Sequence, residues 1–267
     1  MTQISILGCG WLGLPLAKSL IEKGFWVNGS TTSLEKIAVL KNEGITAFQI
    51  EVTENEIIGN LENFLKNSAI LILDIPPKLR GNQPENFVEK IKNILSFVEN
   101  SSVQKVLFIS STSVYADDNS KINEETKPQP ETESGKQLLE VEQLLLNNTN
   151  FKTTVLRFGG LIGENRHPIY FLAGRKDIQN PDAPINIIHL KDCIGVIESV
   201  IEKNIWNETF NAVCPFHPTR KDYYTQKAIA LNLPIPEFDF SNKSIGKIIS
   251  STKTETVLNY TFQKTNL

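Results

Sequence analysis

The chain has 267 residues, 40% of them hydrophobic and 21% charged, and a formal net charge of -3. It is long enough to bury a generous core as one α/β domain or as a domain with a small appendage. The slightly acidic balance offers no basic field for nucleic acid, and no unbroken apolar stretch of about 18 residues offers a membrane span.

The first element is the most telling. An apolar strand, Ile4-Ser5-Ile6-Leu7, runs through Gly8-Cys9-Gly10-Trp11-Leu12-Gly13 into a helix from Leu14 to Lys23, stopped by Gly24. Lys18 and Glu22 interrupt its apolar run, so a signal peptide is not expected. In this pattern Gly8 allows a tight exit from the strand and Gly10 lets backbone approach a pyrophosphate. Gly13 lets the helix pack close to the sheet. The amides of Trp11 and Leu12 then sit at a helix N-terminus, where unpaired N–H groups and the macrodipole attract phosphate. A second strand-like run, Phe25-Trp26-Val27, completes a βαβ unit. The expected ligand is a dinucleotide.

The corner after that strand reads Asn28-Gly29-Ser30-Thr31-Thr32-Ser33, with no carboxylate before Glu35. An NAD site places an acidic side chain here to bind the ribose hydroxyls. Hydroxyls of Ser30, Thr31 and Thr32, with Lys36 one turn on, suit a 2′-phosphate instead, which favours NADP over NAD. The same hydroxyls are also preferred N-caps for a helix starting near Leu34.

Strand-like runs follow at 46–50, 69–73, 105–109 and 154–158, and helical periodicity at about 33–43, 55–66, 84–99 and 133–147. Such alternation predicts a parallel sheet wound on both sides, with ligands beyond the carboxyl ends of its strands. One of those ends is Asp74-Ile75-Pro76-Pro77, a rigid turn that puts Ile75 and Pro76 beside the cofactor. Another is Ser110-Ser111-Thr112-Ser113-Val114-Tyr115, and a third is Arg157-Phe158-Gly159-Gly160. Ser110, Phe158 and Gly159 are accordingly candidate cofactor contacts.

Residues 116–131 are polar and proline-bearing, an expected exposed loop and a candidate part of a lid. After Gly163 the texture becomes irregular, with a helix expected near 191–203 and a strand near 208–213. Residues 1–160 thus read as the cofactor part and 161–267 as mainly the substrate side of a single domain. Arg166, His167 and Arg175 are placed to grip an anionic group or to line a solvated loop. His189 reads as a packing residue and Asp192 as a first-turn partner of the helix dipole. The three histidines lack metal-ligand spacing, and Cys9, Cys193 and Cys214 are scattered and odd in number. No metal site is expected, and a reduced, cytoplasmic protein is.

Together the glycine motif, Ile109–Tyr115, Leu156–Gly163 and Ile185–Asp192 resemble the short-chain dehydrogenase/reductase superfamily in its extended and atypical branches. The wording Gly-Cys-Gly-Trp-Leu-Gly is most similar to the YeeZ-like subgroup of epimerase/dehydratase-like proteins. The resemblance implies a Rossmann-type α/β fold, hydride transfer with NAD(P), and a small hydroxyl or carbonyl substrate of sugar-like kind. Members often pair through two packed helices, so it also allows a homodimer.

Active members use a Tyr and a Lys four residues later, facing a Ser or Thr on a strand end. The resemblance assigns the hydroxyl to Ser111 and the lysine, a contact to the nicotinamide ribose, to Lys136, with Glu140 following. The tyrosine position then holds Thr132. A threonine hydroxyl is far less acidic than a phenol and is no general acid near neutral pH. Tyr115, Glu133 or a group on the substrate would have to supply the proton. An inactive dinucleotide-binding sensor or scaffold is the alternative to an enzyme.

Overall fold

The computed structural model describes residues 2–77 and 85–264. Its elements, in chain order, are β1 (Gln3–Leu7), α1 (Gly13–Glu22), β2 (Trp26–Thr31), α2 (Leu34–Asn42), β3 (Thr46–Gln49), β4 (Glu51–Val52), β5 (Ile57–Ile58) and α3 (Leu61–Leu65). Next come β6 (Ile70–Leu73), α4 (Phe87–Glu99), β7 (Lys105–Ser111), a 3-10 turn (Thr112–Val114), β8 (Lys121–Ile122), α5 (Glu133–Leu146) and β9 (Lys152–Phe158). The remainder are β10 (Gly160–Ile162), α6 (Ile169–Leu172), β11 (Ile187–His189), α7 (Leu190–Glu202), β12 (Thr209–Ala212), α8 (Arg220–Ala230), β13 (Ile248–Ile249) and α9 (Thr252–Val257).

Seven strands form one sheet in the order β12-β9-β7-β6-β1-β2-β3. Every pairing in it is parallel. The order reverses between β1 and β6, so the crevice that doubly wound sheets use for ligands opens beyond Leu7 and Leu73.

Period-two geometry explains why β6 is apolar throughout. Ile70 and Ile72 enter one core with Leu16, Leu20, Val196 and Phe210, while Leu71 and Leu73 enter the other with Phe64, Ile91 and Val141. Helices α1, α2 and α7 cover the first face and α3, α4 and α5 the second. Each fully buried Leu, Ile or Phe contributes roughly 1.5–3 kcal/mol of apolar transfer. The buried polar residues of β1 and β2 are paired. Ser5 Oγ donates to the Phe64 carbonyl at 2.7 Å, and Asn28 Nδ2 donates to the same oxygen at 2.7 Å.

The expected helix over 55–66 is a different structure. An antiparallel hairpin of β4 and β5 precedes α3, a helix of 5 residues. Thr53 Oγ1 accepts from the amides of Asn55 and Glu56, which closes a turn where a helix would have to run. The strand expected at 25–27 extends to Thr31 and takes in most of the hydroxyl-rich corner. The helix expected from 84 starts at Phe87, capped by Asn86, and residue 84 itself lies outside the described residues.

The loop at 116–131 is tethered rather than free to close as a lid. Its β8 pairs in parallel with β13, and the Asn119 side chain and backbone bond to Gly246. The region after Gly163 holds more order than its composition suggests. There β10 pairs with β11, and Tyr223, Tyr224 and Ala228 of α8 pack on Ile162, Ile169 and Ile185. No helix of the described residues is long and apolar enough to cross a membrane.

Candidate functional site

The glycine turn is built by backbone packed against backbone. Gly8 has φ +111°, and a Cβ there would lie 2.3 Å from the Asp74 carbonyl oxygen. A Cβ on Gly13 would lie 2.2 Å from the Gly8 carbonyl oxygen, so the start of α1 presses on the end of β1. Gly10 differs, since a Cβ there would meet nothing within 4 Å. Its missing side chain serves open space beside the turn and not the packing of the fold. Ser30 holds the turn from β2: its Oγ accepts from the Gly8 amide at 2.9 Å and its carbonyl accepts from Cys9 at 2.7 Å.

That open space belongs to two adjoining hollows that share Gly10, Asp74, Ile75 and Pro76. The first, about 200 Å³, runs from Gly8 to Ser30, Thr31, Thr32 and Lys36, with Glu51 and Lys90 on its walls. The second, about 300 Å³, runs past Trp11 and Leu12 to Ser110, Ser111, Leu138, Leu161 and Arg166. A larger hollow of about 580 Å³, lined by Lys66, Asn67, Ser101 and Ser102, precedes β6 and β7 and so lies at the wrong end of the strands for such a ligand.

One feature here was not read from the sequence. Asp74 faces both hollows, and its carboxylate accepts a hydrogen bond from the Gly13 amide. Burial pushes its pKa up to about 7, against the pull of that amide and of Arg166. Arg166, expected either to grip an anionic group or to line a solvated loop, is on the wall of the second hollow. Its guanidinium lies 4.9 Å from the centre of the Trp11 ring, whose edge in turn rests on Gly163. Cys9, beneath the turn, is an inert thiol pushed up to about 12 by burial and then by the Asp74 charge.

Tyr115, Lys136, Phe158 and Gly159 lie outside the lining of both hollows. Phe158 points into the core at 2% exposure, and a Cβ on Gly159 would strike the Asn186 carbonyl oxygen at 2.7 Å. Lys136 is exposed on the first turn of α5. Thr132 is the cap of that helix, its Oγ1 accepting from the Gly135 amide at 3.1 Å, and Glu133 bonds to Gln137. Of the other candidates, His167 is buried against Tyr223 at 2.8 Å and pushed down to about 4, mainly by burial. His189 caps α7 through the Lys191 amide, and Arg175 is exposed. The buried Asp192 does more than face the helix dipole: it accepts from the Tyr260 hydroxyl and the amides of Gln263 and Lys264. Among the described residues no group of three or more His, Cys, Asp or Glu is arranged to hold a metal ion.

The phenol of Tyr115 is committed to a buried network below the cleft. It accepts from Arg157 Nη1 at 2.6 Å and donates to Asn211 Oδ1 at 3.1 Å. Arg157 grips Glu142 with Nε at 3.0 Å and Nη2 at 2.5 Å, and Ser110 Oγ donates to the same carboxylate at 2.5 Å. Burial raises the Tyr115 pKa. Ser111 is left at the cavity. Its Oγ accepts from the Ser113 amide at 3.2 Å, which leaves its own O–H to donate outward.

Residues 4–174 match the model of the NAD dependent epimerase/dehydratase family. The chain belongs to this family. Protein YeeZ of Escherichia coli (strain K12) is 31% identical over 266 residues, which cover 98% of this chain and 96% of that protein. The structure of UDP-glucuronic acid 4-epimerase from Bacillus cereus, solved with NAD, superposes with a TM-score of 0.81 at 18% identity, covering 98% of this chain and 92% of that one. UDP-N-acetylglucosamine 4-epimerase from the same organism gives 0.77 at 16% identity, covering 98% and 94%. At such identities the likeness is one of fold. The motif resemblance to the YeeZ-like branch of the epimerase/dehydratase family holds over nearly the whole chain.

Two stability predictions follow from this geometry and are read from urea unfolding at pH 7. Gly8→Ala costs about 2–4 kcal/mol, because a side chain there is both strained and obstructed, whereas Gly10→Ala stays within about 0.5 kcal/mol. Glu142→Ala strands the Arg157 charge and costs about 3–5 kcal/mol, while Glu43→Ala, which breaks an exposed pair with Lys18, costs under about 1 kcal/mol.

Proposed function

We propose that the protein binds NADP, or less tightly NAD, along the two hollows and acts as an oxidoreductase or epimerase/dehydratase on a hydroxyl or carbonyl group of a sugar-like substrate. The observation that carries this reading is the open space at Gly10, midway along a cleft that runs from Thr31, Thr32 and Lys36 to Ser111. A dinucleotide fits that path in chemistry as well as direction. The amides of Trp11 and Leu12 at the start of α1 would hold the diphosphate, with Arg166 as its cation. Thr31, Thr32 and Lys36 would hold the 2′-phosphate, and Ile75 and Pro76 would form the wall of the central stretch. The family's NAD-dependent members support a nicotinamide coenzyme, and the two epimerases support a nucleotide-sugar class of substrate.

When bound, the coenzyme supplies hydride transfer at the nicotinamide. The protein's own contribution is placement and polarisation. Ser111 donates its hydroxyl proton to the substrate oxygen, and Leu138, Leu161 and Pro77 keep that end of the cleft apolar. A non-catalytic sensor is the second reading, and one observation favours it: the hydroxyls of Thr132 and Tyr115 are both engaged away from the cleft. A division of labour between residues 1–160 and 161–267 belongs to the same reading and is supported by the lining, to which the second part contributes only Leu161 and Arg166 among the described residues of the two hollows.

Calorimetry with NADPH and NADH tests the coenzyme half. NADPH is expected to bind tighter, and Lys36→Ala to weaken it about tenfold while moving NADH by less than about twofold. Tighter NADH binding overturns the NADP preference. NADPH oxidation against a panel of sugars, aldehydes and ketones tests the rest: Ser111→Ala is expected to lower turnover about 10²-fold. An absence of turnover across the panel with intact coenzyme binding favours the sensor.

A further inference from the structure

Asp74 sits where an anion is about to arrive. Asp74 lines both hollows where they meet, beside Gly10, and its carboxylate, with Oδ2 against Gly13, takes the Gly13 amide at the N-terminus of the 10-residue helix α1. The diphosphate expected at Trp11 and Leu12 therefore meets a carboxylate and not a neutral wall. Two negative groups in a half-buried cleft repel strongly, whereas a protonated carboxyl donates a short hydrogen bond to a phosphate oxygen. We propose that Asp74 meets the diphosphate in its protonated form, so that dinucleotide association takes up one proton at this residue. This inference rests on the dinucleotide reading of the cleft.

The surroundings of Asp74 agree. Burial already lifts its carboxyl to about 7 without a ligand, so the protonated form is within reach at neutral pH. The groups around it do not compete for that proton. Cys9, from the glycine turn, and Cys193, from α7, are buried thiols held protonated by desolvation. Arg166, from the loop after β10, is a permanent cation and attracts the carboxylate only partly back. Asp192, behind Cys193, is held by Tyr260, Gln263 and Lys264. Lys36, Glu51 and Lys90 line the first hollow, toward the adenosine end, and Lys90 is paired with Glu85.

The test is calorimetry of NADPH binding in buffers of different ionisation enthalpy. At pH 8, where the coenzyme's 2′-phosphate is fully ionised, the heat is expected to vary with buffer in proportion to about one proton taken up, and the excess of this dependence over that of Asp74→Asn to fade near pH 5.5, where the free protein already holds the proton. Asp74→Asn keeps an acceptor for the Gly13 amide and removes the titration. It is expected to bind NADPH about tenfold tighter than wild type at pH 8, with no buffer dependence, because the protonation step above a pKa of about 7 is no longer needed. Asp74→Ser serves if the asparagine variant does not fold. Saturable binding without buffer dependence, or an unchanged dependence in either variant, overturns the inference while leaving the dinucleotide reading in place. An absence of saturable NADPH and NADH binding overturns both.

Discussion

The close crossing of backbone at the ends of β1 and β6 governs the architecture. Gly8 lies against the carbonyl of Asp74, Gly13 lies against the carbonyl of Gly8, and the Asp74 amide bonds to Leu7 at 2.9 Å. The end of β1, the start of α1 and the end of β6, some sixty residues further on, are thereby held in close contact, since a single methyl at Gly8 or Gly13 would collide with backbone. Because α1 must start where this crossing allows, its N-terminal end lies at the switch-point crevice, with Trp11 and Leu12 on the wall and the Gly13 amide on Asp74. The hollows, the Trp11–Arg166 stack and the placement of Asp74 all follow from that position.

Much of this was legible in the sequence because its causes are local. A glycine spacing between an apolar strand and a helix has one common use, and the continuous apolar run of Ile70–Leu73 marks a strand buried on both faces. The elements that escaped are held by partners distant along the chain. Glu142 falls within the helix expected at 133–147 and Arg157 at an expected strand end, with nothing local to pair them, yet they meet across the α5–β9 interface. Asp74 reads as the end of a strand, and its bond to Gly13 spans about sixty residues of sequence. The misread stretch at 55–66 had helical periodicity, but the Thr53 turn and the β-branched pair Ile57-Ile58 fit a hairpin better.

The buried network also explains why a tyrosine near the cleft is not an acid by default. With Arg157 and Asn211 on its hydroxyl, Tyr115 joins the strand end of β7 to β9 and β12. Moving it toward a substrate would break a charge-assisted bond and strand polar atoms in the core, a cost of several kcal/mol. Ser110 and Ser111 illustrate the same division within two residues. The first is spent on Glu142 inside the sheet, while the second, one step on and facing the other way, keeps its hydroxyl at the cavity.

The pairing of β8 with β13 joins Lys121 and Ile122 to Ile248 and Ile249, across nearly half the chain. The pairing of β8 therefore has to wait on a ribosome until Ile248 and Ile249 emerge. Long-range parallel pairing of this kind closes slowly, after local helices have formed. The stretch around β8 is thus among the last parts of the molecule to be completed during biosynthesis.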